Sequence, residues 1–561
     1  MRGIGRLTGA FLLAGIGLVG GCSNDDNGPS DTPPTGLAAS AASATAIHLT
    51  WNAASGATQY VIERAIGAAG TFAEINRPAS SATSFDDTGL LPGTQYRYHI
   101  AAVRSAGTSA FSAEASVQTN AATLVSVTTD ITTNTTWTAG NIYKLVGFRK
   151  VGNGVTLTIE AGTKIVGDFA TLGSSLFVLR GARLVANGTA AAPVVFTSSQ
   201  PDGQRQPGDW GGLIIIGNAI DNRSGTVNVE GTGTSAADNP FIQYNGGTND
   251  ADNSGELHYV RVEYAGYATV QDAEFNSFSF AAVGSGTQLD HLEALNGLDD
   301  SFEFWGGAVD GKFLVSYEAG DDHYDMSEGY HGRLQFLIAY QSRLLVPRPL
   351  AGFTSQDPQG IENDGCQGAG CDLAFNSTPF TVPVIANFTL VGTGPGVVPA
   401  AGGFGAILRR GTGGHYVNGI WARWPNAAIG YRDADSKARE TAGLLSIKND
   451  LIVESPLALQ AGQQLYDIAT NAVILDAVTS TTALFTKFPV TSNAPPFSPN
   501  AASDFDWSLS ATSPARTGGL TTFTGDLLTR AGSFVTGTSY RGAADPNGAK
   551  WWEGWTSYTR N

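Results

Sequence analysis

Cysteine, charge and long apolar runs are all scarce in this sequence, and each scarcity narrows what the chain can be. Three cysteines among 561 residues, Cys22, Cys366 and Cys371, leave room for at most one intrachain disulfide. Charged residues make up 14% of the chain, against 71 glycines and 24 prolines. That balance argues against long helices and for turn-rich β structure. The formal net charge of −17 weighs against nucleic acid as a partner and toward cations or neutral polymers. One apolar run stands out near the start, from Ala10 to Val19, and it is too short to span a bilayer as a helix. The length calls for more than one domain.

What is present centres on a repeat. Asp299-Asp300-Ser301-Phe302-Glu303-Phe304 recurs 22 residues later as Asp321-Asp322-His323-Tyr324-Asp325-Met326, and Asn276-Ser277-Phe278-Ser279-Phe280 fits the same frame upstream. Short alternating strands at a period just over twenty predict turns of a parallel β-solenoid. Strand side chains point to opposite faces in turn. Phe278 and Phe280, Phe302 and Phe304, and Tyr324 and Met326 should therefore stack inside the coil. The other face should carry Ser279, Glu303 and Asp325 as a column, with Ser277, Ser301 and His323 beside it. Asp299 and Asp321 precede the strand, where a turn can reset the parity.

That column has two readings. On neighbouring coils about 4.8 Å apart, two carboxylates repel by ~1 kcal/mol in water and by ~3.5 kcal/mol at an effective dielectric of 20. A water-facing column needs no compensation. A sheltered one needs a cation, a shared proton or a basic neighbour. On the second reading Glu303, His323 and Asp325 bind a ligand. Asp299, Glu303, Asp321 and Asp325 are then the expected metal ligands, calcium being the expected cofactor.

Two segments resemble known families. The N-terminus, with Arg2 and Arg6 ahead of the apolar run and Leu18-Val-Gly-Gly-Cys22 at its end, resembles the signal and lipobox of bacterial lipoproteins. The resemblance implies lipidation at Cys22, anchoring through ~0.8 kcal/mol per buried methylene, and, with Ser23 next in the chain, an outer-membrane address facing the periplasm or the cell surface. Residues 23–34 read as a flexible tether. In an exported chain Cys366 and Cys371, which bracket a Gly-rich loop, are placed to form a local disulfide; a metal site is the alternative, though no histidine lies close by in sequence. Residues 35–120, with Trp51 in IHLTWNA, Tyr60, Leu91 and then Tyr96 and Tyr98 in YRYHIAAV, resemble a fibronectin type III domain with Trp51 and Tyr96 as its core pair.

From about residue 125 the chain changes character. Leu157-Thr-Ile-Glu-Ala-Gly-Thr-Lys-Ile165, Phe177-Val-Leu-Arg-Gly-Ala-Arg-Leu-Val185 and Gly208-Asp-Trp-Gly-Gly212 resemble secreted right-handed parallel β-helix proteins of the pectate-lyase-like superfamily. The expected fold is thus all-β: a sandwich followed by a parallel β-helix over 125–561. Trp551, Trp552, Trp555 and Tyr558 are expected to plug its last coil, a carbohydrate-stacking platform being the alternative. Long interruptions at 221–255 and 343–380 should be loops on one side, and Asn249–Gly255 reads as a solvated turn with a faint calcium-loop pattern.

Function divides by site chemistry, because this fold hosts many activities. The polygalacturonase resemblance would make Asp299, Asp300, Glu303, Asp321, Asp322 and Asp325 candidate catalytic carboxylates. However, His331-Gly332 comes too soon after Asp322 to reach the same site, and the expected Arg-x-Lys element is missing. For a lyase, Arg333 and Arg343 are the candidate bases. The binding reading needs less: a lipid-tethered rod whose acidic ladder holds calcium or a sugar chain. An accessory to an outer-membrane transporter is the third reading.

Overall fold

The computed structural model describes residues 32–233, 241–270, 273–352, 357–398, 402–455, 473–476, 479–488 and 506–558. Cys22 and the tether up to Asp31 lie outside them. The chain divides into two compact units. No helix among the described residues is long and apolar enough to cross a membrane.

The first unit is the sandwich. Strands Ala38–Ala41, Ala46–Thr50 and Ser84–Thr88 make one sheet, and Ala73–Asn76, Gln59–Ile66, Gln95–Arg104, Gly107–Thr108 and Ala115–Gln118 make the other. Alternation buries Tyr96, Tyr98 and Ile100 on one face of Gln95–Arg104. Trp51 is buried as expected, but its ring meets Tyr60 edge-on at 5.4 Å. Tyr98 Oη donates to Asp87 at 2.7 Å, and Arg64 closes on the same carboxylate at 2.9 Å.

The second unit is a parallel β-coil with three strands per turn. A first sheet stacks Thr156–Glu160 on Arg183–Asn187, and a second stacks Lys164–Gly167 on Val194–Ser198. Among the described residues the third runs through nine strands: Phe148–Val151, Ser175–Val178, Leu213–Ile216, Phe278–Ala281, Phe302–Trp305, Asp322–Ser327, Gln359–Asp364, Phe404–Arg409 and Ala427–Tyr431. From Gly255–Glu263 to Val384–Val391 the first and second strands fuse, and a single residue with φ between +50° and +66° turns the corner: Tyr259, His291, Phe313, Phe336 and Asn387; Asn418 and Asn449 do the same between the separate strands that follow. Asparagine tolerates this left-handed backbone; aromatic residues do so only where the surroundings impose it. Here the rings compensate by stacking, Tyr259 on His291 at 4.2 Å, His291 on Phe313 at 4.6 Å and Phe313 on Phe336 at 5.1 Å.

Inside the coil the expected aromatic columns form. Phe278, Phe302 and Tyr324 stack at 5.0 and 5.3 Å with nearly parallel planes, and Phe280 lies 5.1 Å from Phe304. Tyr324 Oη reaches the carbonyls of Leu314 (3.1 Å) and Ile338 (2.9 Å) across the lumen. A Tyr324→Phe variant should keep the ring column yet lose about 1–2 kcal/mol, because the one buried O–H shared between the two carbonyls is removed; chemical denaturation with an unchanged m value checks this.

The C-terminal segment departs from expectation. Among the described residues the last strand of the coil is Ile474–Asp476. Residues 479–488 and 506–558 fold back over the outer faces instead of plugging the last turn. Trp552, Trp555 and Tyr558, with Phe485 and Trp507, bury the outward Leu295, Val315, Tyr317, Ile338 and Tyr340 of the second sheet. The helix Gly525–Ala531 places Leu527 and Ala531 against Val384, Ala386 and Val417 of the first. The cause is legible in those strands: Val384–Val391 is buried at every position, as a parallel strand covered on both faces must be. Buried Glu293 fixes the strap by accepting the Ser557 backbone N–H at 2.9 Å.

Candidate functional site

The third sheet sets the site. Its register aligns Ser279, Glu303, Asp325 and Glu362 across four consecutive strands, so the expected outward column is present and one rung longer. The entry turns add Asp299, Asp300, Asp321 and Asp322. Three triplets have carboxylate oxygens that all lie within 4.8 Å of one another: Asp299, Asp300 and Asp321; Asp300, Glu303 and Asp325; and Asp322, Asp325 and Glu362. Asp300 and Asp325 each bridge to another acid set, which makes one continuous cluster. Asp299, Asp321 and Asp325 are half-buried, while Asp300, Glu303, Asp322 and Glu362 are buried beneath them.

His323 does not belong to this face, contrary to expectation. Its Nδ1 lies 2.5 Å from Ser316 Oγ, which also donates to Ser301 Oγ at 2.7 Å, and its ring meets Trp424 edge-on. The two-residue alternation breaks at the start of each strand, between Ser301 and Phe302 and between His323 and Tyr324, so Ser301 and His323 point inward beside Phe302 and Tyr324. Burial drives the imidazole's pKa down to about 3, so it stays neutral and structural.

The cluster is tied down from two sides. Asn276 donates through Nδ2 to Glu303 and accepts the Asp300 backbone N–H at 3.1 Å; Asp300 Oδ1 accepts the Asp322 N–H at 2.8 Å. At the far end Arg409 donates to Glu362 and, at 2.8 Å, to Asp364 Oδ1, while Arg410 takes the other Asp364 oxygen. These bases do not reach the whole cluster. The buried Asp322 Oδ1 and Ser279 Oγ have no hydrogen-bond partner among the described residues, nor does Asp325 Oδ1. Burial, reinforced by the neighbouring carboxylates, pushes Asp299, Asp300, Glu303 and Asp322 well above the ordinary carboxylate range. Burial raises Asp325 to about 6, held down by Arg409 and Arg410, and Glu230 nearby to about 8.

Other sequence candidates lie elsewhere. His331 hydrogen-bonds Gly329 O at 2.7 Å and faces Asp250 at 3.2 Å; Arg333 closes on Asp310 at 2.8 Å; and Arg343 forms no ion pair among the described residues. Asp250 caps the Ile220 N–H and Asp252 faces Ser254, so the 249–255 segment is a hydrogen-bonded turn. Cys366 and Cys371 form the disulfide. Glu362, Asp364, Arg409 and Arg410 went unforeseen, although Glu362 occupies a strand position equivalent to Asp325 and the Arg-Arg pair stands at the end of an apolar strand.

Comparison with known proteins agrees with this architecture. The family model described as pectate-lyase-like β-helix domain matches residues 129–488, and that of the fibronectin type III domain matches residues 32–118. Over 103 residues the chain is 36% identical to a poly(3-hydroxybutyrate) depolymerase of Ralstonia pickettii, 18% of this chain and 20% of that one, so it spans about a fifth of this relative's length. Among solved structures, an Fn3-like protein from Clostridium thermocellum is 37% identical over 16% of this chain and 92% of its own, with a TM-score of 0.15. The fn3 domain of human collagen α1(XX) is 22% identical over 16% and 86%, also with a TM-score of 0.15.

Proposed function

Because this chain belongs to the pectate-lyase-like β-helix family, we propose that its third-sheet acidic cluster is a calcium site through which a surface-anchored protein holds an acidic polysaccharide. The observation that carries the reading is the chain of three carboxylate triplets with oxygens within 4.8 Å. Oxygens bound to one calcium ion at about 2.3–2.6 Å lie at most ~5 Å apart. Unpartnered oxygens on Asp322 and Asp325 supply acceptors whose desolvation a cation would offset. The partly buried Asp299, Asp321 and Asp325 bring the cluster within reach of solvent, where a glycan carboxylate can complete the sphere.

The anchoring part rests on Arg2, Arg6, the 10–19 apolar run and Cys22, which together support lipidation and an outer-membrane location. The sandwich then serves as a spacer.

Calcium should raise the melting temperature of the full chain, and EDTA should reverse it, since a ligand of the native state stabilises that state. Retention on immobilised polygalacturonate should require calcium and disappear in Asp325→Asn. Melting that ignores both calcium and chelator removes the cation. Release of reducing or unsaturated ends, abolished by Asp321→Ala, would replace the binding reading with a hydrolase or lyase.

A further inference from the structure

A second group of reactive side chains lies on the first sheet, away from the acidic cluster. The outward positions of Gly414–Val417 and Leu445–Lys448 pair His415 with Ser446, and Ser446 Oγ lies 2.8 Å from His415 Nδ1. On the other side of the ring, His415 Nε2 lies 2.9 Å from Asp526 Oδ2 in the first turn of the helix Gly525–Ala531. Arg530 donates to that same Asp526 oxygen at 2.6 Å. His415 is 2% exposed, whereas Ser446 is only partly covered. Both line a cavity of about 540 Å³ together with Lys437, Thr441, Lys448 and Thr524.

We propose that Ser446, His415 and Asp526 form a nucleophilic triad that hydrolyses a carboxylic ester of a polar alcohol, such as an O-acyl group on a sugar. The roles come from the geometry. Asp526 accepts Nε2–H and so fixes the tautomer that leaves the Nδ1 lone pair facing the Ser446 hydroxyl. Burial lowers the pKa of His415; for Asp526, hydrogen bonds from His415 and Arg530 outweigh burial and lower it. A neutral base and an ionised orienting group are the states such chemistry requires. Lys448 is two residues beyond Ser446 on the same strand face and brings positive charge to the cavity where a carbonyl oxygen would gain negative charge. An ester suits this arrangement because its alcohol departs more readily than an amine. The polar lining suits a hydroxyl-rich alcohol.

In the first step Ser446 Oγ bonds to the acyl carbon as its proton passes to His415 Nδ1. The acyl C–O bond then breaks and the alcohol leaves with that proton. Water repeats the sequence: its oxygen bonds to the acyl carbon, its proton goes to Nδ1, and Ser446 Oγ departs and recovers it. The balance is ester plus water to acid plus alcohol.

The test uses the full chain with a fluorophosphonate probe and with p-nitrophenyl acetate and acetylated oligosaccharides. Peptide mapping should place the label on Ser446. Ser446→Ala and His415→Gln should lower ester turnover at least about 100-fold. Asp526→Asn should lower kcat with little change in KM, and Asp526→Glu should recover part of it. No label on the wild-type protein, a label on another serine, or full turnover in Ser446→Ala overturns the proposal. So does a melting loss in Ser446→Ala without any labelling of the wild type, which would leave the three groups as a brace for the helix.

Discussion

Titrating the calcium-free protein from about pH 4.5 to about pH 8 should lower its melting temperature by about 5 °C or more, and calcium should remove most of that fall. The raised carboxylates set the sign. Asp325, Glu303, Asp300 and Asp322 hold protons in the native state to higher pH than in the unfolded chain. The stability this confers is complete below the ordinary carboxylate range. It is lost as pH rises through the native values, near 6 for Asp325 and 8 for Glu230. Asp325 alone contributes about 2 kcal/mol once water at its open side is allowed for. A bound cation reverses the preference, because it favours the ionised forms and displaces their protons. Calcium binding at neutral pH should therefore release protons, measured as a dependence of the binding heat on the buffer's ionisation enthalpy. Asp325→Asn should flatten both the pH slope and the calcium effect. A slope of opposite sign, or calcium binding without proton release, would refute the linkage.

Legibility in the sequence differs from residue to residue. The 22-residue echo between DDSFEF and DDHYDM carried both the ring column at Phe302 and Tyr324 and the pairing of Glu303 with Asp325, because neighbouring coils of equal length map sequence spacing directly onto register. His323 misled because the alternation breaks between His323 and Tyr324, inside the strand Asp322–Ser327, where the pairing to the next strand skips His323. Glu362 and Asp364 were hidden by the insertion between Tyr340 and Gln359, which breaks the period although the strand rejoins the sheet in register. Arg409 and Arg410 come from one coil further on. The C-terminal aromatics were legible as cover for something apolar. What they cover was written in the unbroken apolar strands, whose outer faces needed a partner as much as the last coil did. The pairing of His415 and Ser446 with Asp526 joins residues 111 apart in sequence, and no local pattern announces it.

Arg409→Met should destabilise the protein by about 3–5 kcal/mol near pH 8 and by much less near pH 5. The guanidinium bridges two buried carboxylates, keeps its charge at any working pH, and donates to Glu362 and to Asp364 at 2.8 Å. Methionine retains the apolar stem's volume but leaves Arg410 alone to balance Asp364, with Glu362 unpaired beside Asp322 and Asp325. Near pH 5 the raised carboxyls of Asp322, Asp325 and Asp364 carry protons and demand less of a cation, so the cost shrinks. The same substitution frees Glu362 for the Asp322–Asp325–Glu362 triplet and removes a competing positive charge. Calcium should consequently bind Arg409→Met more tightly than the wild type and restore part of its lost stability. A double-mutant cycle with Glu362→Gln isolates the pair: strong coupling without calcium that fades when calcium is present is the expected pattern. An equal loss at both pH values, or weaker calcium binding in Arg409→Met, would mean that Arg409 packs the coil rather than balancing its acids.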